Sequence, residues 1–332
     1  DPDPDPAVSW KERQRLFRLP RSSWADYNPK LLGKGGGVFP RTMKRVAISR
    51  EAAAAIGTER REFDPDGLIN AILKAPVDLL WFGGIGTYVR SSAETDAQVG
   101  DPANDALRGT GEEVRAQVIG EGANLGVTQA GRIEFALGGG RINADFIDNS
   151  AGVDCSDNEV NIKIALGAAR RAGRLSEARR NALLAEMTDS VSALVLEDNR
   201  LQALALSIAQ TGGARAVLSQ TRLIETLEAT GALDRKTEGL AASDALARRA
   251  LEGRGLTRPE LAVLLSTTKL VLQDAMEASD LAHDHTVEPL LLGDFPQEMH
   301  GPFSSRILHH RLRNELVATV VANKIVNRMG LV

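Results

Sequence analysis

Gly120-Glu121-Gly122-Ala123-Asn124 and, downstream, Asp148-Asn149-Ser150-Ala151-Gly152-Val153-Asp154-Cys155-Ser156 decide how this chain is read. Each stretch reads as an apolar strand running into a small-residue loop that carries an Asn. The feeder strands are predicted at 114–119 and 142–147, and helical sequence follows both loops. In an open α/β sheet, ligands bind in the crevice at the carboxyl ends of the strands. Two loops of this kind, each with an amide and no bulk, can face one flat polar ligand. An amide side chain offers donors and an acceptor, which suits a carboxamide and a ribose. Small residues also let helices pack close to strands, and periodicity alone does not separate the two readings.

Outward from these loops the chain divides in two. Val77-Asp78-Leu79-Leu80-Trp81-Phe82 reads as a buried parallel strand, entered after Pro76 stops a helix over about 66–74. Gly83, Gly84, Ile85 and Gly86 follow it. Glycines there let backbone approach a ligand and leave amides free for anions. A helix over 50–56 should end at Gly57 as its left-handed cap. Residues 1–44 read as irregular, because Pro2, Pro4 and Pro6 oppose a regular helix. Strands and loops alternate to about residue 155, the pattern of a Rossmann-like doubly wound parallel sheet. Beyond Ser156 helical periodicity takes over, with helices predicted near 157–172, 177–198, 200–210, 214–230, 242–252, 258–278 and 304–328. Ser156 with Glu159, and Thr257 with Glu260, have capping-box spacing. The predicted organisation is therefore an incomplete α/β domain over 1–156 and an all-α domain over 157–332.

Composition narrows the class without naming a chemistry. With 332 residues the chain can bury a sizeable core, and 43% hydrophobic with 25% charged residues is ordinary for a globular protein. A net charge of −4 argues against a nucleic-acid surface, whose footprint is basic. One cysteine, Cys155, excludes an internal disulfide and fits a reducing compartment such as the cytoplasm. No apolar run reaches the roughly 18 residues of a membrane helix.

The paired loops resemble the coenzyme domain of glutamate dehydrogenases, which carry a Glu-Gly-Ala-Asn strand end and then an Asn-Ala-Gly-Gly-Val loop with a Ser downstream. The wording is closest to the large bacterial NAD-specific branch. Further matching stretches are Asp1-Pro2-Asp3-Pro4-Asp5-Pro6, Leu19-Pro20-Arg21-Ser22-Ser23-Trp24, Gly35-Gly36-Gly37-Val38-Phe39-Pro40, Gly83-Gly84-Ile85-Gly86-Thr87-Tyr88, Leu256-Thr257-Arg258-Pro259-Glu260-Leu261 and Val326-Asn327-Arg328-Met329-Gly330. The resemblance covers essentially the whole chain. It implies oxidative deamination of L-glutamate to 2-oxoglutarate and ammonia with NAD as acceptor, a role in amino-acid catabolism, and a homo-oligomer. It implies NAD contacts from Asn124 and Asn149 at the nicotinamide end and from Gly83, Gly84 and Ile85 on the adenosine side. Asp1 and Asp3 would meet the ribose hydroxyls, and Ser156 the amino-acid substrate. The family's catalytic Lys and Asp, and the Gly-rich first turn, lie upstream of this region. The resemblance therefore implies an internal fragment with no catalytic residue of its own, inactive by itself. Two departures stand out. Phe82 replaces a usual Asn, and Ser150-Ala151-Gly152 replaces Ala-Gly-Gly. A dehydrogenase of another amino acid, or a non-catalytic helical segment for regulation or assembly, remains open.

The other chemistry-bearing residues read as structural. His283 and His285 sit in a polar loop with Asp280 and Asp284, whose spacing gives no closed metal shell. His309 and His310 read as surface residues. Cys155 has no His partner nearby in sequence. Arg170-Arg171, Arg179-Arg180 and Arg248-Arg249 lie beside acids on predicted helices, as solvated pairs would.

Overall fold

A computed structural model describes residues 1–331, which form two compact units, the first Asp1–Ile142 and the second starting at Asn143. The first contains α1 (Pro6–Arg18), β1 (Val46–Ala47), α2 (Arg50–Ile56), β2 (Glu62–Phe63), α3 (Pro65–Leu73), β3 (Leu79–Phe82), β4 (Val89–Arg90), α4 (Asp96–Val99), β5 (Gly109–Thr110), β6 (Val118–Glu121) and α5 (Gln129–Leu137). The strands pair as three two-stranded ladders. β1 and β2 are antiparallel, whereas β3–β6 and β4–β5 are parallel. In the central ladder Leu79 faces Val118 and Phe82 faces Glu121, so both strands end at the same edge. The feeder strand expected at 114–119 thus begins later, at Val118. No strand forms over 142–147: a single bridge pairs Arg141, just before it, with Val118, and residues 145–148 are helical.

Side chains alternate across β3, as a strand requires. Phe82 is buried with Ile119, Val127 and Phe135, while Leu79 and Trp81 are exposed on the other face. The Trp81 indole lies across β6. A Cβ at Gly120 would come within 2.6 Å of the ring and one at Gly122 within 2.3 Å, so a larger residue at either position would have to displace the indole.

The N-terminal segment is a correction. α1 begins at Pro6 because the Asp5 carboxylate accepts the Val8 N–H at 2.9 Å and a proline in the first turn forfeits no helical bond. The helix over 50–56 forms as expected, closed by Gly57 at φ 67°.

The second unit contains α6 (Asp145–Asp148), α7 (Ser150–Arg171), α8 (Glu177–Glu186), α9 (Thr188–Thr211), α10 (Gly213–Ala229), α11 (Ser243–Leu251), α12 (Arg258–Glu277), α13 (Glu288–Gly293), α14 (Gln297–His300), α15 (Ser304–Leu308) and α16 (Arg313–Met329). It has two apolar cores. Leu206, Ile224, Leu261, Leu264 and Val326 anchor one, and Leu166, Met187, Leu291, Met299 and Ile307 the other. Each such fully buried side chain contributes about 1.5–3 kcal/mol. The capping box at Thr257 forms, with Glu260 accepting from the Thr257 N–H at 2.6 Å and from its hydroxyl at 2.7 Å. The one expected at Ser156 does not. Ser156 lies inside α7, its hydroxyl turned to the Gly152 carbonyl at 3.4 Å. The predicted domain boundary at 156 accordingly falls inside a continuous helix, and the compact units divide at 142. Among the described residues no helix is long and apolar enough to cross a membrane.

Glu121 and Arg132 form a bidentate ion pair at 2.7 and 3.0 Å, with side chains 0% and 3% exposed. Removing one partner from such a pair leaves a buried charge uncompensated, at a cost of about 3–5 kcal/mol. Arg132→Met is expected to lower unfolding free energy by that amount in denaturant titrations followed by Trp fluorescence. A loss below about 1 kcal/mol would assign the pair no structural weight.

Candidate functional site

In the first unit the candidate site is the shared carboxyl edge of β3 and β6. The chain leaves β3 through Gly83, Gly84 and Ile85, all exposed. A Cβ on Gly84 would meet nothing within 4 Å, so a ligand can reach the backbone there unhindered. A cleft of about 320 Å³ opens at this turn, lined among others by Trp81, Phe82, Gly83, Gly84, Tyr88 and Asn104. Phe82, where the resemblance led to an Asn, stacks on Tyr88 with ring centres 5.6 Å apart and planes 1° from parallel. It belongs to the core and offers no polar contact.

The chain leaves β6 through Gly122, Ala123 and Asn124. The Ala123 amide donates to the Phe82 carbonyl at 3.1 Å, joining the two strand ends. Glu121 also accepts the Val127 amide at 3.0 Å, so one carboxylate holds both ends of the intervening loop. Leu125 at its tip has φ 56°, a strained conformation for a branched-chain residue. Asn124, next to it, is exposed.

Asp1 and Asp3 stay together, the Asp3 amide donating to the Asp1 carboxylate at 3.3 Å. Asp1 accepts the Gly33 amide at 2.9 Å and lines an apolar cleft of about 470 Å³ with Gly35, Gly36, Ala52, Ile56 and Leu79. Asp3 is exposed and does not line that cleft.

In the second unit Asn149 joins α6 to α7. Its side-chain oxygen lies 3.0 Å from where a Cβ on Gly152 would stand, so Gly152 makes room for the amide. Asn149, Gly152, Val153 and Ser156 follow i, i+3, i+4, i+7 spacing and share one face of the helix. Gly152, Val153 and Ser156 are exposed there, Val153 by 61%. The small-residue loop predicted over 149–156 is thus a helix presenting a low, open stripe.

A larger cavity, about 790 Å³, lies within the helical unit, and its walls include Asp154, Asp198, Asp294, Lys324 and Asn327. Sequence reading did not single out this cluster, because its members come from helices far apart in the chain. Burial, then the charges of Asp198 and Asp157, push Asp154 up to about 6. Burial, then Asp198 and Asp154, push Asp294 up to about 7. Asp198 is raised by burial, opposed by Lys269 and Lys324. Burial pushes Lys269 down to about 8.

His283 and His285 are exposed in short 3₁₀ turns. His310 corrects the surface reading. It is buried between a ring nitrogen contact to the Asn161 carbonyl at 3.2 Å and an acceptor contact from the Leu312 amide at 3.1 Å, and burial lowers its pKa. Arg248 makes the solvated pair with Asp244, but Arg249 is drawn inward to the buried Glu260 at 2.7 Å. Among the described residues no group of three His, Cys, Asp or Glu side chains is arranged to hold a metal ion.

A family model described as bacterial NAD-glutamate dehydrogenase, catalytic domain, matches residues 1–209. The chain belongs to this family. A second model, glutamate dehydrogenase, C-terminal, matches residues 253–332. The NAD-specific glutamate dehydrogenase of Pseudomonas aeruginosa is 51% identical over 331 residues, all of this chain and 20% of that protein. Those of Halomonas elongata and Mycobacterium tuberculosis are 48% and 45% identical, again over the whole chain and 21% of theirs. The chain thus spans about a fifth of the length of the curated relatives it matches.

The raised acids fix a sign. A carboxyl whose pKa is higher folded than unfolded takes up a proton on folding, so stability falls as pH rises from the unfolded value to the folded one. For Asp154 and Asp294 that window runs from 3.8 to about 6 and about 7. Lys269, lowered from 10.5 to about 8, works the other way, and stability recovers above that pH. The melting temperature is expected to be higher near pH ~5.5 than near pH ~7.5, and Asp294→Asn should flatten the difference. An unchanged slope in the variant, by calorimetry, would contradict this.

Proposed function

We propose that this chain forms the coenzyme side of an enzyme that oxidatively deaminates L-glutamate to 2-oxoglutarate and ammonia, with NAD accepting the hydride. The observation that carries the reading is the coincidence of a family match over residues 1–209 with an open parallel-strand edge built from the family's own loops. The β3–β6 pair is read as part of a Rossmann-like doubly wound sheet, whose ligands lie at its carboxyl edge. Gly83, Gly84 and Ile85 line the adenosine side with bare backbone, and Asn124 contacts the nicotinamide end. Asn149 is read, from the resemblance, as a nicotinamide contact. Ser156, two helical turns along the same stripe, contacts the amino acid. Asp1 and Asp3, both exposed, are read as ribose contacts. The functional boundary is read at 156, because Asn149 before α7 and Ser156 in its second turn are counted with the coenzyme side, although the compact units divide at 142. The enzyme is read as a cytoplasmic homo-oligomer.

The residues fit a dinucleotide on three counts: open space over Gly84, an exposed amide at Asn124, and a helix face kept low by Gly152. NAD supplies the hydride acceptor, and the chain's part is to orient it.

The full-length protein is expected to reduce NAD in preference to NADP, and with L-glutamate in preference to L-leucine. Asn149→Ala should lower kcat/KM by about ten- to a hundredfold, the roughly 1–3 kcal/mol of an unmade buried hydrogen bond. Leucine preference, NADP preference or unchanged Asn149→Ala kinetics would each count against the reading.

Ser156→Ala separates substrate contact from helix support. Ser156 is interior to α7, so alanine should leave stability equal or better by about 0.5 kcal/mol while the KM for glutamate rises. Unchanged glutamate kinetics would remove Ser156 from the site.

A further inference from the structure

The Leu256-Thr257-Arg258-Pro259-Glu260-Leu261 stretch is only partly explained by helix capping. Thr257 and Glu260 close the box at the start of α12, and Arg249 neutralises Glu260. Arg258 has no part in that. It is the first residue of α12, where a positive charge opposes the helix dipole. It is also half-buried, and burial lowers its pKa while Asp148 raises it. Its position therefore costs the helix stability, and what it holds lies elsewhere.

The guanidinium bridges α9 to the turn before α7. Nη2 donates to the Ala203 carbonyl at 3.0 Å and Nη1 to the Ser207 hydroxyl at 3.0 Å, both on α9. Nε donates to the side-chain oxygen of Asn143. The Asn143 amide in turn donates to Asp148 Oδ1 at 2.5 Å. Asp148 is the residue before Asn149. On the far side of Asn149, the Ser150 hydroxyl donates to Asn199, also on α9. The segment 143–150 is thus fastened at both ends to one helix, and the Arg258–Asn143–Asp148 relay is one of the two fastenings.

We propose that Arg258 is a positioning residue for the coenzyme-binding reaction, fixing the Asn149 turn through Asn143 and Asp148. This rests on the reading of Asn149 as a cofactor contact. The relay acts through geometry, since an Asn149 amide misplaced by about an ångström loses much of its contact with the coenzyme.

The test uses steady-state kinetics and melting of the full-length protein with NAD and L-glutamate. Arg258→Met keeps the aliphatic stem and removes every donor. It is expected to raise the KM for NAD by about tenfold, with Asn143→Ala doing the same and the double variant no worse than the poorer single one. Arg258→Lys, which keeps one charged donor, should recover part of the loss. Arg249→Met is the structural control, since it loosens the same helix start without touching the relay. It should lower the melting temperature and leave the KM for NAD alone. An unchanged KM in Arg258→Met, additive losses in the double variant, or an equal KM rise in Arg249→Met would overturn the proposal. If Arg258→Met does not fold, Asn143→Ala decides alone by the same KM criterion. If Asn149→Ala changes the KM for NAD and the relay variants do not, only this proposal fails. If Asn149→Ala is itself silent, the reading beneath it fails as well.

Discussion

The carboxylate of Glu121 is fully enclosed; both its oxygens accept from the Arg132 guanidinium, and Oε1 also accepts the Val127 amide. Glu121 is the last residue of β6, Val127 lies beyond the loop, and Arg132 sits on α5. One side chain therefore ties a strand end, the far side of its loop and the following helix. The loop between carries Asn124 and the strained Leu125. Strain of this kind persists only where the surroundings over-determine it. A buried charge pair is costly to desolvate and is poor evidence for stability as such. Its use here is to give the loop one conformation, against which an exposed amide can be aimed.

The helical unit solves the same problem with a helix as its frame. α9 presents Asn199, Ala203 and Ser207, about one turn apart, as partners for the segment around Asn149. The cavity with Asp154, Asp198 and Asp294 shows the opposite tendency: carboxyls gathered where burial and mutual repulsion disfavour their charge. The two arrangements share α7. Asp154 faces that cavity while Asn149 and Ser156 lie on the open stripe, so a single helix serves both.

Local signals in the sequence were read well where one interaction within four residues decides the outcome. Gly57 ends α2, and Thr257 with Glu260 opens α12, because each is settled by nearest neighbours. The β3 and β6 strands were visible as apolar runs, and the family was visible in its loops. The same rule failed at Ser156, whose spacing to Glu159 is right, because α7 already starts at Ser150 and packing outweighs a second cap. Pro6 misled because its position in the first turn, with Asp5 before it, could not be told from its mere presence. The strand expected after Arg141 gave way to a short helix, since apolar runs of this length fit either state. His310 and Arg249 seemed solvated because their partners, Asn161 and Glu260, are distant or off the local face. The Arg258–Asn143 contact spans 115 residues, and the acidic cavity draws on helices far apart in sequence, so no local pattern announces either.

A map of the full-length protein with NADH bound, at a resolution that defines side chains, tests the central claim most directly. The account requires the dinucleotide at the carboxyl edge of β3 and β6, its backbone contacts at Gly83 and Gly84, its carboxamide within hydrogen-bond reach of Asn124, and the Glu121–Arg132 pair intact beneath the loop. A dinucleotide bound away from that edge, or an Asn124 loop that rearranges with the Glu121–Arg132 pair broken, would contradict it.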